Sequence, residues 1–194
     1  MKIQSVFLLR VSSHVDKDVG HPQFFDPPYP LKYLQAGLGT YPDLKVDLLD
    51  CWIRPMGVEG MLDHTTGIRP DLVVISASSF DVDVANQYVA ALKAQKSPPV
   101  VIGIGQGYYL NGMSKKEVDA NYEAILLGEP ELEFLRLFDQ IHNADGPPLN
   151  WEGHYRSLYA EGSRFTVEYP DRLPFPTYTR EERSVYASIL PVRV

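Results

Sequence analysis

Five stretches of the chain are dominated by apolar residues, and the segments between them repeat with a longer period. The apolar runs are Ser5–Val11, Lys45–Asp50, Asp71–Ala77, Pro99–Ile104 and Tyr122–Gly128. They are short, rich in β-branched residues and bounded by Pro, Gly or Asp. This pattern predicts strands covered on both faces, as in parallel sheets. In "PLKYLQAGLGTY", Pro30 suits a first helical turn, and Leu31, Leu34 and Leu38 fall on one face. "DVDVANQYVAALKAQ" offers Asp81 as a cap and a stripe of Val84, Tyr88, Ala91 and Leu92. "PELEFLRLFDQIH" places acids in its first turn and a stripe of Leu132, Leu135, Phe138 and Ile141. The glycines of "MGVEGMLDHTTGIRP" predict a shorter or irregular helical crossover.

Strands alternating with helical crossovers predict a Rossmann-like, three-layer α/β sandwich. Its mostly parallel, five-stranded sheet takes the flavodoxin-like order 2-1-3-4-5, and ligands then bind at the carboxyl ends of the strands. The pattern changes after about His142. "NADGPPLN" reads as a turn-rich linker, and Tyr155–Tyr169 alternates about Glu161-Gly162-Ser163 as a hairpin outside the sheet. The remainder is punctuated by proline and ends in an apolar, strand-like run. The expected division is a Rossmann-like domain over residues 1–145 and a hairpin with linker over 146–194, cut before further structure.

Composition narrows the function classes. A net charge of −7 over 194 residues argues against nucleic acid or an anionic membrane as the main partner. The apolar N-terminal run is too short for a signal sequence or a membrane span. A lone cysteine, Cys51, forms neither a disulfide framework nor a cysteine metal cluster within one chain, and fits a cytoplasmic setting.

"VVIGIGQGYYL" is the most glycine-dense stretch, with Gly103, Gly105 and Gly107 in a G-x-G-x-G run. A dinucleotide fingerprint would follow the first strand and carry a third glycine where Tyr108 stands, so a conventional NAD site is set aside. A phosphorylatable receiver domain would need a carboxylate cluster at the switch point. Asp71 instead precedes the third strand, whose far end carries Ser76-Ala77-Ser78-Ser79. Those hydroxyls could admit and bond a bulky neutral ligand, or could simply turn the chain and cap the next helix. His14, His21, His64, His142 and His154 form no i, i+4 metal pair; His14 lies just past the first strand. Cys51 reads as an inert buried thiol. Asp50 could bond a ribose hydroxyl or cap its own loop.

In order and spacing, several segments resemble the N-terminal cobalamin-binding domain of radical S-adenosylmethionine enzymes, a group that includes magnesium-protoporphyrin ester cyclase-like proteins and cobalamin-dependent methylases. They are "PPYPLKYLQAGL", "VDLLD", "PDLVVISASS", "PPVVIGIGQ", "YEAILLGEPELEFLRL" and "RLPFPTY". The resemblance implies a cobalamin crevice between the first and third strands. Contacts would come from Ser12, Ser13, Ser76, Ser78, Ser79, Gly103, Gly105, Gln106, Gly128 and Glu129, with Gly103 and Gly105 making room for the nucleotide tail. The family's D-x-H-x-x-G is missing, since Ser12 stands two residues before His14 and no glycine stands three after it. Cobalamin would then bind base-off, with no protein histidine ligand. The 4Fe-4S cluster and S-adenosylmethionine would belong to a radical domain absent from this chain, where methyl transfer or cyclisation would occur. Two other readings stay open: a flavin-binding domain, and a degenerate Rossmann-like interaction domain without a cofactor.

Overall fold

A computed structural model of the chain describes residues 3–13, 27–105, 107–110, 122–126, 130–142 and 173–186. Strands β1 (Ser5–Arg10), β2 (Lys45–Asp50), β3 (Leu72–Ser76), β4 (Val100–Ile104) and β5 (Ala124–Leu126) form one parallel sheet. Their order is β2-β1-β3-β4-β5, the flavodoxin-like order expected from the sequence. The chain reverses its direction of travel across the sheet after β2, which puts the switch point between β1 and β3.

Alternation along each strand divides the core into two layers. Val6 and Leu8 of β1 join Leu72, Val74, Ile102 and Ile104 on one face, under α1 (Tyr29–Leu38). The helix Glu131–His142, here α5, covers the same face through Phe134, Leu137 and Phe138. Phe7 and Leu9 join Val73, Ile75 and Val101 on the other face, under α2 (Val58–Ile68) and α3 (Val82–Lys93). Each of these side chains, fully buried, contributes roughly 1.5–3 kcal/mol relative to exposure. One turn of helix, α4 (Gly107–Leu110), follows β4.

Several elements differ from the sequence expectation, each for a physical reason. The α2 crossover is a regular helix of 11 residues despite its glycines. Met61 and Thr65 anchor it, and Thr65 shares a hydroxyl contact of 2.5 Å with the buried Tyr88. In α3 the buried stripe is Val82, Ala85, Tyr88, Val89 and Leu92, so Val84 and Ala91 fall at its margin. In α5 it is Phe134, Leu137 and Phe138; Leu132 and Leu135 are half-buried. Both helices are rotated from the predicted stripe because packing chose the aromatic-centred face. Strand β2 is an edge, so Lys45 and Asp47 are exposed rather than covered on both faces. Asp71 accepts the backbone N–H groups of Gln4 and Ser5 at 2.8 and 3.0 Å, tying the start of β3 to β1.

The proline-punctuated tail contributes a last helix, α6 (Arg180–Val185). Thr179 and Glu182 form a reciprocal capping box at its start, satisfying two otherwise orphan N–H groups. This part of the expected linker packs back on the sheet domain, with Leu173 and Tyr186 buried. The hairpin expected over Tyr155–Tyr169 lies outside the described residues.

Candidate functional site

The carboxyl ends of the strands form an edge with two halves. On the β3–β4 half, the three glycines of the G-x-G-x-G run each face the protein itself. A Cβ on Gly107 would come within 2.4 Å of the Ser78 carbonyl oxygen and 2.5 Å of that of Ala77. Gly105 has φ +109°, and a Cβ there would meet the Ala77 oxygen at 3.2 Å. A Cβ on Gly103 would lie 3.1 Å from the Tyr108 ring and 3.2 Å from Ile125. Glycine is therefore required at Gly107 by close approach of the β3–α3 loop and favoured at Gly105 by its positive φ, while Gly103 packs tightly against a buried tyrosine. Tyr108 is itself held by an edge-on contact with Tyr122, whose hydroxyl donates to Asn86. Burial holds both phenols well above their ordinary range, Tyr122 at about 12, so both remain protonated.

Asp81 organises the loop above these glycines. Its Oδ1 accepts the Ser13 N–H at 2.7 Å, and its Oδ2 accepts the Ser78 hydroxyl at 2.6 Å. It occupies the N-cap position of α3 but makes no side-chain cap bond, because its carboxylate links the ends of β1 and β3 instead. Phe80, between Ser79 and Asp81, points outward and is 84% exposed.

The β2–β1 half is closed by residues from far along the chain. Asp50 accepts the Trp52 N–H at 2.9 Å and the Tyr186 hydroxyl at 2.5 Å. Arg10 lies 3.6 Å from the same carboxylate and stacks over the Trp52 ring, 4.3 Å from its centroid. Trp52 in turn donates its indole N–H to the Val11 carbonyl. Burial, then the Asp50 charge, holds the Tyr186 hydroxyl far above the usual phenol range, so it acts as a donor. Beside this set, Lys32 pairs with Glu182, and at the surface Arg54 pairs with Glu181 at 2.5 Å.

Of the sequence-predicted site residues, Ser12, Ser13, Ser76, Ser78, Ser79, Gly103 and Gly105 do gather at or near the switch point. Ser12 is buried and Ser13 exposed; Ser76, Ser78 and Ser79 are half-buried. Gln106, Gly128, Glu129 and His14 lie outside the described residues. Asp50 caps its own loop and receives Tyr186, so the ribose-binding alternative gives way to an internal role. Cys51 is buried, and its thiol is pushed up to about 12, first by burial and then by Asp50 and Asp81. Among the described residues, no group of three or more His, Cys, Asp or Glu could hold a metal ion. Also among them, no helix is long and apolar enough to cross a membrane. Sequence reasoning missed Lys32, Arg10, Glu182 and Tyr186. The available signal was the T-x-x-E of a capping box at Thr179–Glu182.

Comparison with known proteins returns no family model that matches the sequence and no matching curated protein. Among solved structures, the NMR structure of the pseudo-receiver domain of the CikA protein matches with a TM-score of 0.43 and 16% identity. The match covers 75% of this chain and 99% of that one. None of these comparisons finds a cobalamin-binding domain of a radical enzyme, and that identification is corrected. The attributes drawn from it (cobalamin binding, radical chemistry, methyl transfer, cyclisation, metal binding) are corrected with it. The geometry gives a physical reason why the glycines misled. The space beside Gly103 and Gly105, assigned to a nucleotide tail, holds Tyr108, Ile125 and the Ala77 carbonyl.

Proposed function

We propose that this chain is a docking module: a degenerate flavodoxin-like domain that works by binding another protein rather than through a cofactor in its strand-end crevice. The observation that carries the reading is the mutual satisfaction of the crevice's own groups. Asp81 takes donors from Ser13 and Ser78, and the glycines take up the β3–α3 loop and Tyr108. What this loop offers outward is an aromatic side chain, Phe80, held on a backbone that Asp81 fixes. A rigidly mounted, exposed aromatic is the kind of group that anchors protein interfaces.

The test has two arms. Titration of the purified chain with hydroxocobalamin and with flavin mononucleotide should leave both visible spectra unchanged. A stoichiometric complex with either would overturn the reading. In the second arm, the partner captured by the wild-type chain from its native extract should be lost by Phe80→Ser. Equal capture by both would remove Phe80 from the interface.

A further inference from the structure

The segment Leu173–Tyr186 is held on the sheet by buried charge together with two buried apolar anchors. Leu173 and Tyr186 are buried, whereas Phe175 and Val185 are exposed. Both carboxylate oxygens of Glu182 reach the Lys32 ammonium, at 3.0 and 3.1 Å. Lys32 is 3% exposed, an unusual burial for a lysine, and it also donates to Gln35 and faces the Tyr178 ring at 5.1 Å. Four residues after Glu182, the Tyr186 hydroxyl reaches Asp50, with Arg10 Nη1 at 3.4 Å. The Tyr186 N–H bonds the Glu182 carbonyl at 2.8 Å, so one helical turn delivers the acid and the phenol together.

The seat for this turn comes from α1, β1 and β2, and is separate from the Phe80 loop. A helix of six residues has no stability of its own, and within this one only Glu182 is buried. Such segments open locally, ahead of the strands beneath them.

We propose that Leu173–Tyr186 is a latch that opens without the core, and that its seat on Lys32, Arg10 and Asp50 is a recognition groove for a helix carrying Glu and Tyr four residues apart. The latch fills this groove in cis until a partner helix of the same chemistry displaces it. Tethering gives the latch an effective concentration of about millimolar, which a competitor must overcome. Naming a protein helix as the partner rests on the docking-module reading. The groove can nevertheless be tested without Phe80, so the two can fail separately.

The experiment uses the full chain, hydrogen exchange and a labelled synthetic peptide with the sequence Leu173–Tyr186. In the wild type, residues 179–186 should exchange faster than β1 and β3. Glu182→Lys sets two ammonium groups against each other and should speed latch exchange by on the order of 100-fold, leaving β1 and β3 protected. The peptide should bind the Glu182→Lys chain and be rejected by the wild type, whose groove is filled. A peptide with Lys in place of Glu182 should bind neither. The charge-reversed pair Lys32→Glu with Glu182→Lys should restore latch protection and reject the native peptide. Loss of β1 and β3 protection in Glu182→Lys would make the segment part of one cooperative core and overturn the latch. Failure of the native peptide to bind, or equal binding of the Lys peptide, would overturn the groove. Loss of partner capture by Phe80→Ser, or its absence, changes none of these readings.

Discussion

On the β3–β4 side of the strand-end edge, three glycines let the Ala77 and Ser78 carbonyls and the Tyr108 ring settle against backbone. On the β2–β1 side, Arg10, Lys32 and Asp50 meet Glu182 and Tyr186, which arrive from 150 and 136 residues away in the chain. The first closure rests on close backbone approaches at the glycines, with the Asp81 carboxylate tying Ser13 and Ser78 above them. The second is built from charges and hydrogen bonds on a short helix whose own buried residue is Glu182, with the buried Tyr186 just past its end. Close-packed contacts have no second arrangement to move to, whereas a polar seat can exchange its occupant for water or for another polar helix. One half of the edge is therefore a fixed part of the fold, and the other can open.

The largest expected effect breaks the fixed half. Gly107→Ala places a Cβ within 2.5 Å of two backbone carbonyl groups, and neither carbonyl is the end of a flexible side chain. The loop or α4 must move, and urea unfolding should show a loss of about 3 kcal/mol or more. A loss below about 1 kcal/mol would mean that the close approach is not maintained in solution, and the contrast between the halves would fail.

Next in size is a dependence on pH that reads both halves through one group. Cys51 is raised from its ordinary 9.0 to about 12 by burial, then by Asp50 from one half and Asp81 from the other. The folded state keeps the thiol neutral while the unfolded chain ionises it. The contribution is therefore complete below about pH 9 and is lost as pH rises toward 12. The decline approaches ~1.4 kcal/mol per pH unit within that window. Cys51→Ala should flatten this part of the profile of unfolding free energy against pH. Tyr108, Tyr122 and Tyr186, also raised, extend the loss above the ordinary phenol range in both proteins. An unchanged slope in Cys51→Ala would show that the folded state does not hold the thiol buried and neutral.

Much of the fixed half is written locally. The apolar runs gave the strands, their alternation with helices gave the order, and the glycine density at Gly103–Gly107 marked where backbone approaches closely. What approaches could not be read from the glycines, since a ligand tail and a tyrosine ring make the same demand for a missing Cβ. The rotations of α3 and α5 were also hidden. Val84 and Leu132 fit an apolar stripe as well as Ala85 and Phe134 do, and the choice was made by the sheet. The latch left almost no trace. Glu182 and Lys32 are ordinary surface residues by type, and their pairing depends on a fold-back across the sheet that no local pattern encodes.

Tyr186→Phe sharpens the openable half at a smaller scale. It removes the hydroxyl donor to Asp50 and keeps the ring, so the buried carboxylate retains the Trp52 N–H and the nearby Arg10. The latch should lose about 1 kcal/mol of closing free energy, seen as faster hydrogen exchange over residues 179–186. The urea midpoint of the strands should stay in place, because the cost is capped at what closing the latch contributes. A fall in global stability equal to the local one would join the two halves into one unit.

The smallest effect on stability is expected at Phe80, and its smallness is informative. The ring is 84% exposed, so Phe80→Ser removes almost no buried area, and unfolding should shift by no more than about 0.5 kcal/mol. Its neighbour supplies the contrast. Asp81→Ala would strip the acceptor from the Ser13 N–H and the Ser78 hydroxyl and should cost about 1–3 kcal/mol. Both substitutions should weaken capture of a partner, one by removing the anchoring ring and the other by freeing the loop that aims it. Urea unfolding and partner capture, measured together, separate the two routes: Phe80→Ser should move only the second, and Asp81→Ala should move both. Were Phe80→Ser to cost as much stability as Asp81→Ala, the ring would be packing against the fold in solution, and the outward face of the fixed half would lose its docking role.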